Sequence, residues 1–190
     1  MNKEILENLS IITSKEAAKA NISRSTLTRL CNSGTIERIT RGVYLNHLAK
    51  RQVPISIEDL ISSVKSVKEG AICLISALSY YNLTDEIPRQ HWIAVPDNFR
   101  PSPRNNVRFV SFKNYKLGLK SIKINGVSVK IYDQERTIVD SFKFLSFETA
   151  IKALKNYLKN NNPNIEKLYK YSKIRRINIE KYIQVILVDK

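Results

Sequence analysis

The segment "SRSTLTRL", Ser23 to Leu30, concentrates side-chain donors in the first part of the chain. On a helix these donors would lie away from Leu27 and Leu30. The donors are Arg24, Ser25, Thr28 and Arg29. Arginine can bind guanine edges or phosphate in bidentate fashion, and serine or threonine hydroxyls adapt to several acceptors. The pattern favours contact with DNA, and a solvated polar helix face is the alternative.

A second group of donors, Arg38, Thr40 and Arg41, follows on a predicted β-hairpin. Two β-branched runs flank the tight "TRG", and Gly42 allows the positive φ that such a turn needs. Arginine at a hairpin tip can lie along a phosphate backbone or enter a narrow minor groove. An ordinary charged hairpin is the alternative interpretation.

Catalytic chemistry is not indicated by the sequence. His47 and His91 lie far apart in the chain, and no phosphate-binding loop, nucleophile elbow or HExxH pattern is present. No Asp or Glu has a lysine two residues later, as magnesium-dependent nucleases often do. Arg136 stands four residues before Asp140, which favours a structural ion pair. We therefore expect no enzymatic activity, no cofactor and no metal site.

Capping signals define the helices that would position the first donors. Thr13 and Glu16 have capping-box spacing, and Asn21 tolerates the left-handed conformation that closes a helix. Ser23 can cap the next helix, which Gly34 ends. Two short helices joined by a turn are typical of a helix-turn-helix.

The order helix, helix, helix, hairpin, with a first helix in residues 2–10, indicates a winged helix-turn-helix domain. We assign this domain to residues 1–48, with Ile36 and Ile39 packed beneath the hairpin. A basic, proline-interrupted linker is predicted at residues 49–56.

Residues 57–190 are predicted to form a larger α+β domain with a mostly antiparallel sheet and C-terminal helices. Ser56 is a candidate cap for its first helix. Four alternating runs, "HWIAVP", "VRFVSF", "LKSIKI" and "VSVKIYD", predict strands, and Asn125-Gly126 predicts a hairpin between the last two. Apolar stripes over residues 147–158 and 179–187 predict the helices.

The chain is strongly basic, since 32 Lys and Arg against 17 Asp and Glu give a net charge of +15. Such a charge favours polyanionic partners. Strand alternation and helix spacing would gather many cations of the second domain into a secondary basic surface: Arg100, Arg104, Arg108, Lys120, Lys123, Lys152, Lys155 and Lys159. This surface has three interpretations. It can make further phosphate contacts, it can dock an acidic protein, or its lysines can be merely solvated and reflect an AT-rich genome.

The remaining composition predicts a cytoplasmic protein. No run of eighteen apolar residues exists, and the N-terminus lacks the apolar segment of a signal peptide. The two cysteines, Cys31 and Cys73, form no CxxC pattern and fit free thiols in a reducing compartment.

An ordered set of segments resembles the AbiEi family of antitoxins from bacterial abortive-infection toxin–antitoxin operons. The segments are "TRGVYL", "ISALSYYNLTDEIP", "IAVP", "INGVSVKIYDQERTIVDSF" and "AIKALKNYL". The resemblance implies a winged-helix domain that represses its own operon by binding inverted repeats in double-stranded promoter DNA. It also implies a C-terminal domain that counters a nucleotidyltransferase-like toxin and so contributes to phage resistance.

The resemblance includes the Arg136-Thr137-x-x-Asp140 segment, which we interpret as structural: Arg136 pairs with Asp140, and Thr137 forms a local hydrogen bond. Two other functional hypotheses remain open. The protein can be a stand-alone regulator whose second domain binds a protein or nucleic acid, or an enzyme that acts on nucleic acid.

Overall fold

The computed structural model describes residues 8–50, 54–124, 127–160 and 162–188. The chain has an α+β fold and divides into two compact units. The first comprises Met1–Gly70 with Ser121–Val129, and the second comprises Ala71–Lys120 with Lys130–Lys190.

The first unit combines two short helices with a small antiparallel sheet. Strand β1 (Ile11–Thr13) leads into helix α1 (Ser14–Lys19), and residues 20–23 connect α1 to helix α2 (Arg24–Asn32). The hairpin of β2 (Ile36–Thr40) and β3 (Val43–Asn46) follows, and the sheet order is β1-β3-β2. Of the helix predicted in residues 2–10, residues 2–7 lie outside the described residues; Asn8 is helical, and Leu9 and Ser10 are not.

Local hydrogen bonds explain why these helices begin and end where they do. The Thr13 hydroxyl accepts from the Glu16 N–H at 3.2 Å, and the Glu16 carboxylate accepts from the Thr13 N–H at 2.9 Å. Ser23 accepts from the Thr26 N–H, and Asn21 adopts φ 58°. The predicted caps are therefore confirmed, and they satisfy N–H groups that a helix start leaves free.

Small and branched apolar side chains form the core of the first unit: Ile12, Ala17, Ala20, Ile22, Leu27 and Ile36. Ile36 is buried as predicted, but Ile39 is only half-buried. The reason is a shift in the β2–β3 ladder between Arg38 and Thr40, which interrupts the alternation of faces.

The hairpin turn is fastened to the start of α1. Gly42 has φ +80°, and its carbonyl accepts a 2.8 Å hydrogen bond from the Ser14 N–H. A Cβ at this position would stand 3.1 Å from the Ser14 hydroxyl oxygen. Glycine is thus favoured both by its backbone conformation and by the approach of α1.

Helix α3 (Ile55–Lys65) differs from the prediction at its start. Pro54 occupies the N-cap position, so Ser56 is inside the helix and is not its cap. The predicted linker 49–56 therefore overlaps the helix, because proline is well tolerated at a helix start. The division into units places α3 in the first unit, whereas the predicted boundary at residue 48 stays a prediction.

The larger sheet is mixed, with the strand order β6-β5-β4-β8-β7. Its strands are β4 (Ala71–Ile72), β5 (His91–Pro96), β6 (Val107–Phe112), β7 (Leu119–Ile124) and β8 (Val127–Tyr132). The four predicted strands thus have the expected positions. The predicted Asn125-Gly126 turn lies outside the described residues.

The prediction of a mostly antiparallel sheet is wrong. Strand β4 is antiparallel to β5 but parallel to β8, and β5 is parallel to β6 from His91↔Val107 to Pro96↔Phe112. Residues 97–106 therefore form a return crossover. Their prolines and asparagines resemble an ordinary turn in sequence, since turn residues do not reveal strand direction.

Five helices complete the second unit: α4 (Leu74–Tyr80), α5 (Gln134–Phe144), α6 (Phe147–Leu158), α7 (Ile165–Arg175) and α8 (Glu180–Val188). Ile138, Leu154 and Ile183 are fully buried in their shared core. Phe147, predicted to face inward, is 58% exposed and packs edge-on against Tyr182. No helix in the described ranges is long and apolar enough to cross a membrane.

Candidate nucleic-acid interface

The outer face of α2 carries all four donors predicted for it. Arg24, Ser25, Thr28 and Arg29 are exposed, while Leu27 is buried. At 100° per residue, the exposed positions of α2 occupy one continuous arc opposite Leu27. Asn32 lies on the same arc and was missed, although its spacing of four and eight residues from Thr28 and Arg24 is a recognisable signal.

The two arginines of this face are free to meet a partner, whereas the two hydroxyls are held by the helix. The Thr28 hydroxyl donates to the Arg24 carbonyl at 3.1 Å, and the Ser25 and Ser23 hydroxyl oxygens are 2.7 Å apart. Within the described residues, neither Arg24 nor Arg29 has an ion-pair partner. The guanidinium groups are therefore the groups best able to bind phosphate or base edges.

Helix α1 adds two cations that sequence reasoning missed. Lys15 and Lys19 are exposed and lie one turn apart, because residues at i and i+4 share a helix face. The four-residue spacing of these lysines is visible in "SKEAAK", but the alanines and the capping box in the same segment indicate packing and not binding.

The hairpin places Arg38 on strand β2, opposite Tyr44 of β3, and Arg41 at its turn. Both arginines are exposed. The side chain of Thr40 lies outside what the structure describes. Glu37 pairs with His47 at 3.7 Å.

Residues 8–50 contain few acidic groups that could pair with the exposed arginines. Of the two carboxylates in this range, Glu16 forms the capping box, and Glu37 is exposed with Oε2 at 3.7 Å from His47 Nε2. The exposed arginines and lysines of α1, α2 and the hairpin therefore create a positive field over residues 8–50.

The predicted secondary basic surface is not one face. All eight cations are exposed, but Lys120 and Lys123 are three positions apart on β7, and a regular strand directs such residues to opposite faces. Arg108 stacks on the Trp92 ring at 4.2 Å, and Lys152 pairs with Asp85 at 2.6 Å.

The remaining members of this surface belong to two different parts of the second unit, the segment between β5 and β6 and helix α6. Arg100 donates to the backbone carbonyls of Asp97 and Phe99, and Arg104 forms an isolated bridge with Val107. Lys155 and Lys159 share one exposed side of α6 and its C-terminal end. The set therefore divides into several small groups.

Arg136 and Asp140 form the predicted pair, and the structure adds a third member. The Arg136 Nε donates to Asp140 Oδ2 at 2.5 Å with both side chains almost completely buried. Arg175 of α7 donates to the other carboxylate oxygen at 2.7 Å. Thr137 donates to the Asp133 carbonyl at 2.7 Å, which is the local bond expected for it.

Lys167 extends this network to the start of α5. Its ammonium lies 2.9 Å from Asp133 and 3.0 Å from Glu135, and Tyr157 donates to Glu135 at 2.6 Å. Burial alone would raise the pKa of Glu135, but the hydrogen bonds from Tyr157 and Lys167 outweigh it and lower the pKa below its usual value.

The network, defined as Asp133, Glu135, Arg136, Asp140, Lys167 and Arg175, balances three acids with three bases. Sequence spacing could reveal only the Arg136–Asp140 pair, because the other bases come from α7, which is distant in the chain. No group of His, Cys, Asp or Glu in the described part of the chain has metal-binding geometry. The three acids of the network are each paired with one or two of its bases.

The two helices and the hairpin of the first unit correspond to a known family of regulators. Residues 2–47 match the family model described as "Transcriptional regulator, AbiEi antitoxin". The AbiEi resemblance inferred from the sequence is confirmed over these residues. The AbiEi match includes Arg24, Arg29, Arg38 and Arg41 and ends at the last residues of the hairpin. No curated protein matches the chain.

Proposed function

We propose that the protein is a DNA-binding transcriptional repressor of its own operon, in which it acts as antitoxin to a nucleotidyltransferase-like toxin. The observation that carries the DNA-binding part is the outer face of α2, where Arg24 and Arg29 are exposed and form no ion pair with any residue that the structure describes. This face lies within residues that match a family of transcriptional regulators.

In the proposed complex, α2 enters the major groove as the second helix of a winged helix-turn-helix. Arg24 and Arg29 donate to guanine edges or phosphates, and Ser25 and Thr28 contact the backbone beside them. Lys15 and Lys19 of α1 add phosphate contacts.

The hairpin acts as the wing in this arrangement. Arg38 and Arg41, with Thr40 between them, lie along the phosphate backbone or in the minor groove. The turn hydrogen bond between Gly42 and Ser14 fixes the tip relative to α1, so both elements approach DNA together.

A footprint on the upstream promoter tests this proposal. The wild-type protein should protect repeated sites, and the double variant Arg24→Ala with Arg29→Ala should lose that protection while keeping its circular dichroism spectrum. A matched control removes two exposed cations of the second unit, Arg89 and Lys181, and should keep the footprint. Equal affinity of the two double variants would refute the assignment of α2.

The wing has a different expected signature. Replacing Arg38 and Arg41 by alanine should weaken binding to all sequences alike. The slope of log affinity against log salt should fall by about 0.9 for each DNA phosphate that the variant no longer neutralises. An unchanged slope would contradict the wing assignment.

The antitoxin part rests on the resemblance of the second region, including "SALSYYNLT" and "ERTIVD", to AbiEi antitoxins. The test is co-expression with the toxin encoded by the adjacent gene, scored by growth. Rescue supports the antitoxin role. Failure to rescue, or the absence of a nucleotidyltransferase-like neighbour, favours the alternative of a stand-alone winged-helix regulator.

A further inference from the structure

Strand β6 forms one edge of the mixed sheet. At the start of this edge the outward N–H of Val107 donates to the Arg104 carbonyl at 3.3 Å, and the outward groups beyond it belong to Phe109 and Ser111. The His91 N–H donates to the Asn106 carbonyl. In a parallel ladder with this register, the backbone N–H and C=O groups of Arg108, Val110 and Phe112 face β5. Phe109 and Ser111 consequently turn their N–H and C=O groups away from β5. In the described part of the chain no strand pairs with this edge.

The side chains around this edge are positively charged. Arg104, Arg108 and Lys113 are exposed on or next to β6, and residues 98–132 contain eight Lys or Arg and no Asp or Glu. Like charges facing each other oppose the pairing of two β6 edges from two copies of the chain. The same charges attract a strand that carries carboxylates.

A cleft of about 400 Å³, lined by both apolar and polar side chains and including Glu86, opens beside the start of β6. Ile87, Pro88 and Trp92 line it together with Arg108, and Ile87 is 90% exposed. Arg108 covers one face of the Trp92 ring at 4.2 Å, so that face cannot stack on a nucleobase. Tryptophan and arginine are among the residue types enriched in the hot spots of protein interfaces.

We propose that the β6 edge binds an extended acidic segment of a partner protein as an added strand. Phe109 and Ser111 pair with the backbone of this segment, as in other cases of strand addition. Arg108 pairs with its carboxylates, and the cleft receives an apolar side chain. The proposal does not depend on DNA binding by the first unit.

The probe is a short fluorescein-labelled peptide that alternates glutamate and valine, measured by anisotropy with the full chain. The same peptide with lysine for glutamate is the charge control, and a labelled single-stranded oligothymidylate is the nucleic-acid control. Wild-type protein should bind the acidic peptide and should not bind the lysine peptide.

Two variants separate backbone pairing from charge. Ser111→Pro removes an outward N–H and none of the N–H groups that bond to β5, and it should weaken peptide binding about tenfold. Ser111→Ala keeps the N–H and should bind like wild type. Arg108→Glu should also weaken binding at least about tenfold, because it reverses a charge at the edge.

Amide hydrogen exchange of the wild-type protein tests the same point without a substitution. The acidic peptide should slow exchange at Phe109 and Ser111 and leave Val110, already paired with β5, unchanged. Equal binding by Ser111→Pro and Ser111→Ala, unaltered exchange, or no binding of the acidic peptide would overturn the proposal. Binding of oligothymidylate in its place would assign the edge to nucleic acid.

Discussion

Replacing Asp140 by asparagine would remove the shared counter-charge of two guanidinium groups in the buried network. Asp140 accepts from Arg136 at 2.5 Å and from Arg175 at 2.7 Å, and its own side chain is 1% exposed. Breaking a fully buried ion pair from one side costs about 3–5 kcal/mol, because the remaining charge stays desolvated. We therefore expect the free energy of unfolding to fall by about 4 kcal/mol.

Most of this loss comes from Arg136. Its side chain is fully buried, and its remaining acceptors are the backbone carbonyls of Asn114 and Leu117. Arg175 keeps 10% exposure and can regain some solvent. A domain with about 5–15 kcal/mol of stability would still fold after such a loss, which makes the measurement feasible.

Urea unfolding followed by tryptophan fluorescence measures the effect, since Trp92 is the single tryptophan and lies in the second unit. The midpoint should fall with an unchanged denaturant slope. Asp85→Asn is the matched control, because the Asp85–Lys152 pair is exposed to solvent, which screens it, so its loss should change stability little. If the free energy of unfolding falls no more in Asp140→Asn than in this control, the network does not stabilise the second unit as argued.

Three further outcomes concern single positions. Gly42→Ala should destabilise the first unit by about 1 kcal/mol or more, measured by thermal circular dichroism. Gly34→Ala should cost less stability. Both glycines have positive φ, but only at Gly42 does a side chain, that of Ser14, lie close to the added Cβ. Equal losses of stability in the two variants would contradict this reason. Thr13→Ala should cost about 1 kcal/mol through loss of the N-cap, and an unchanged melting temperature would argue against the cap. Glu135→Gln should destabilise the protein at neutral pH. Because the pKa of Glu135 is lowered in the fold, its stabilisation is present above the usual glutamate pKa of about 4.3 and lost as pH falls through the lowered value. The difference in unfolding free energy between Glu135→Gln and wild type should therefore shrink in acid. If urea titrations at neutral and at acid pH give the same difference, the ionised Glu135 carboxylate is not the cause of the stabilisation.

Short-range chemistry made part of the fold predictable. The caps at Thr13 and Ser23 and the pair Arg136–Asp140 depend on residues three or four apart, and the structure has all of them. The strand positions were also predictable, since alternation marks strands whatever their neighbours are.

Long-range pairing could not be predicted in the same way. The parallel register of β5 and β6 depends on the path of residues 97–106, and strand alternation is identical in parallel and antiparallel sheets. The bulge between Arg38 and Thr40 likewise left no signal in the β-branched pattern, so Ile39 was expected to be buried.

The candidate interface shows the same division. The donors of α2 followed from helical spacing around Leu27, and that spacing also contained Asn32. The partners of the secondary basic surface could not be read from the sequence, because Asp85 for Lys152 and Trp92 for Arg108 come from distant parts of the chain.

The hydrogen bond from the Ser14 N–H to the Gly42 carbonyl limits how this hairpin can diversify. A longer loop between β2 and β3 would move its tip past the start of α1 and give up that bond. Relatives that keep the bond are therefore restricted to a short tip. Changes in binding preference would then come from exchanging side chains at positions such as Arg38 and Arg41, and not from inserting residues between them.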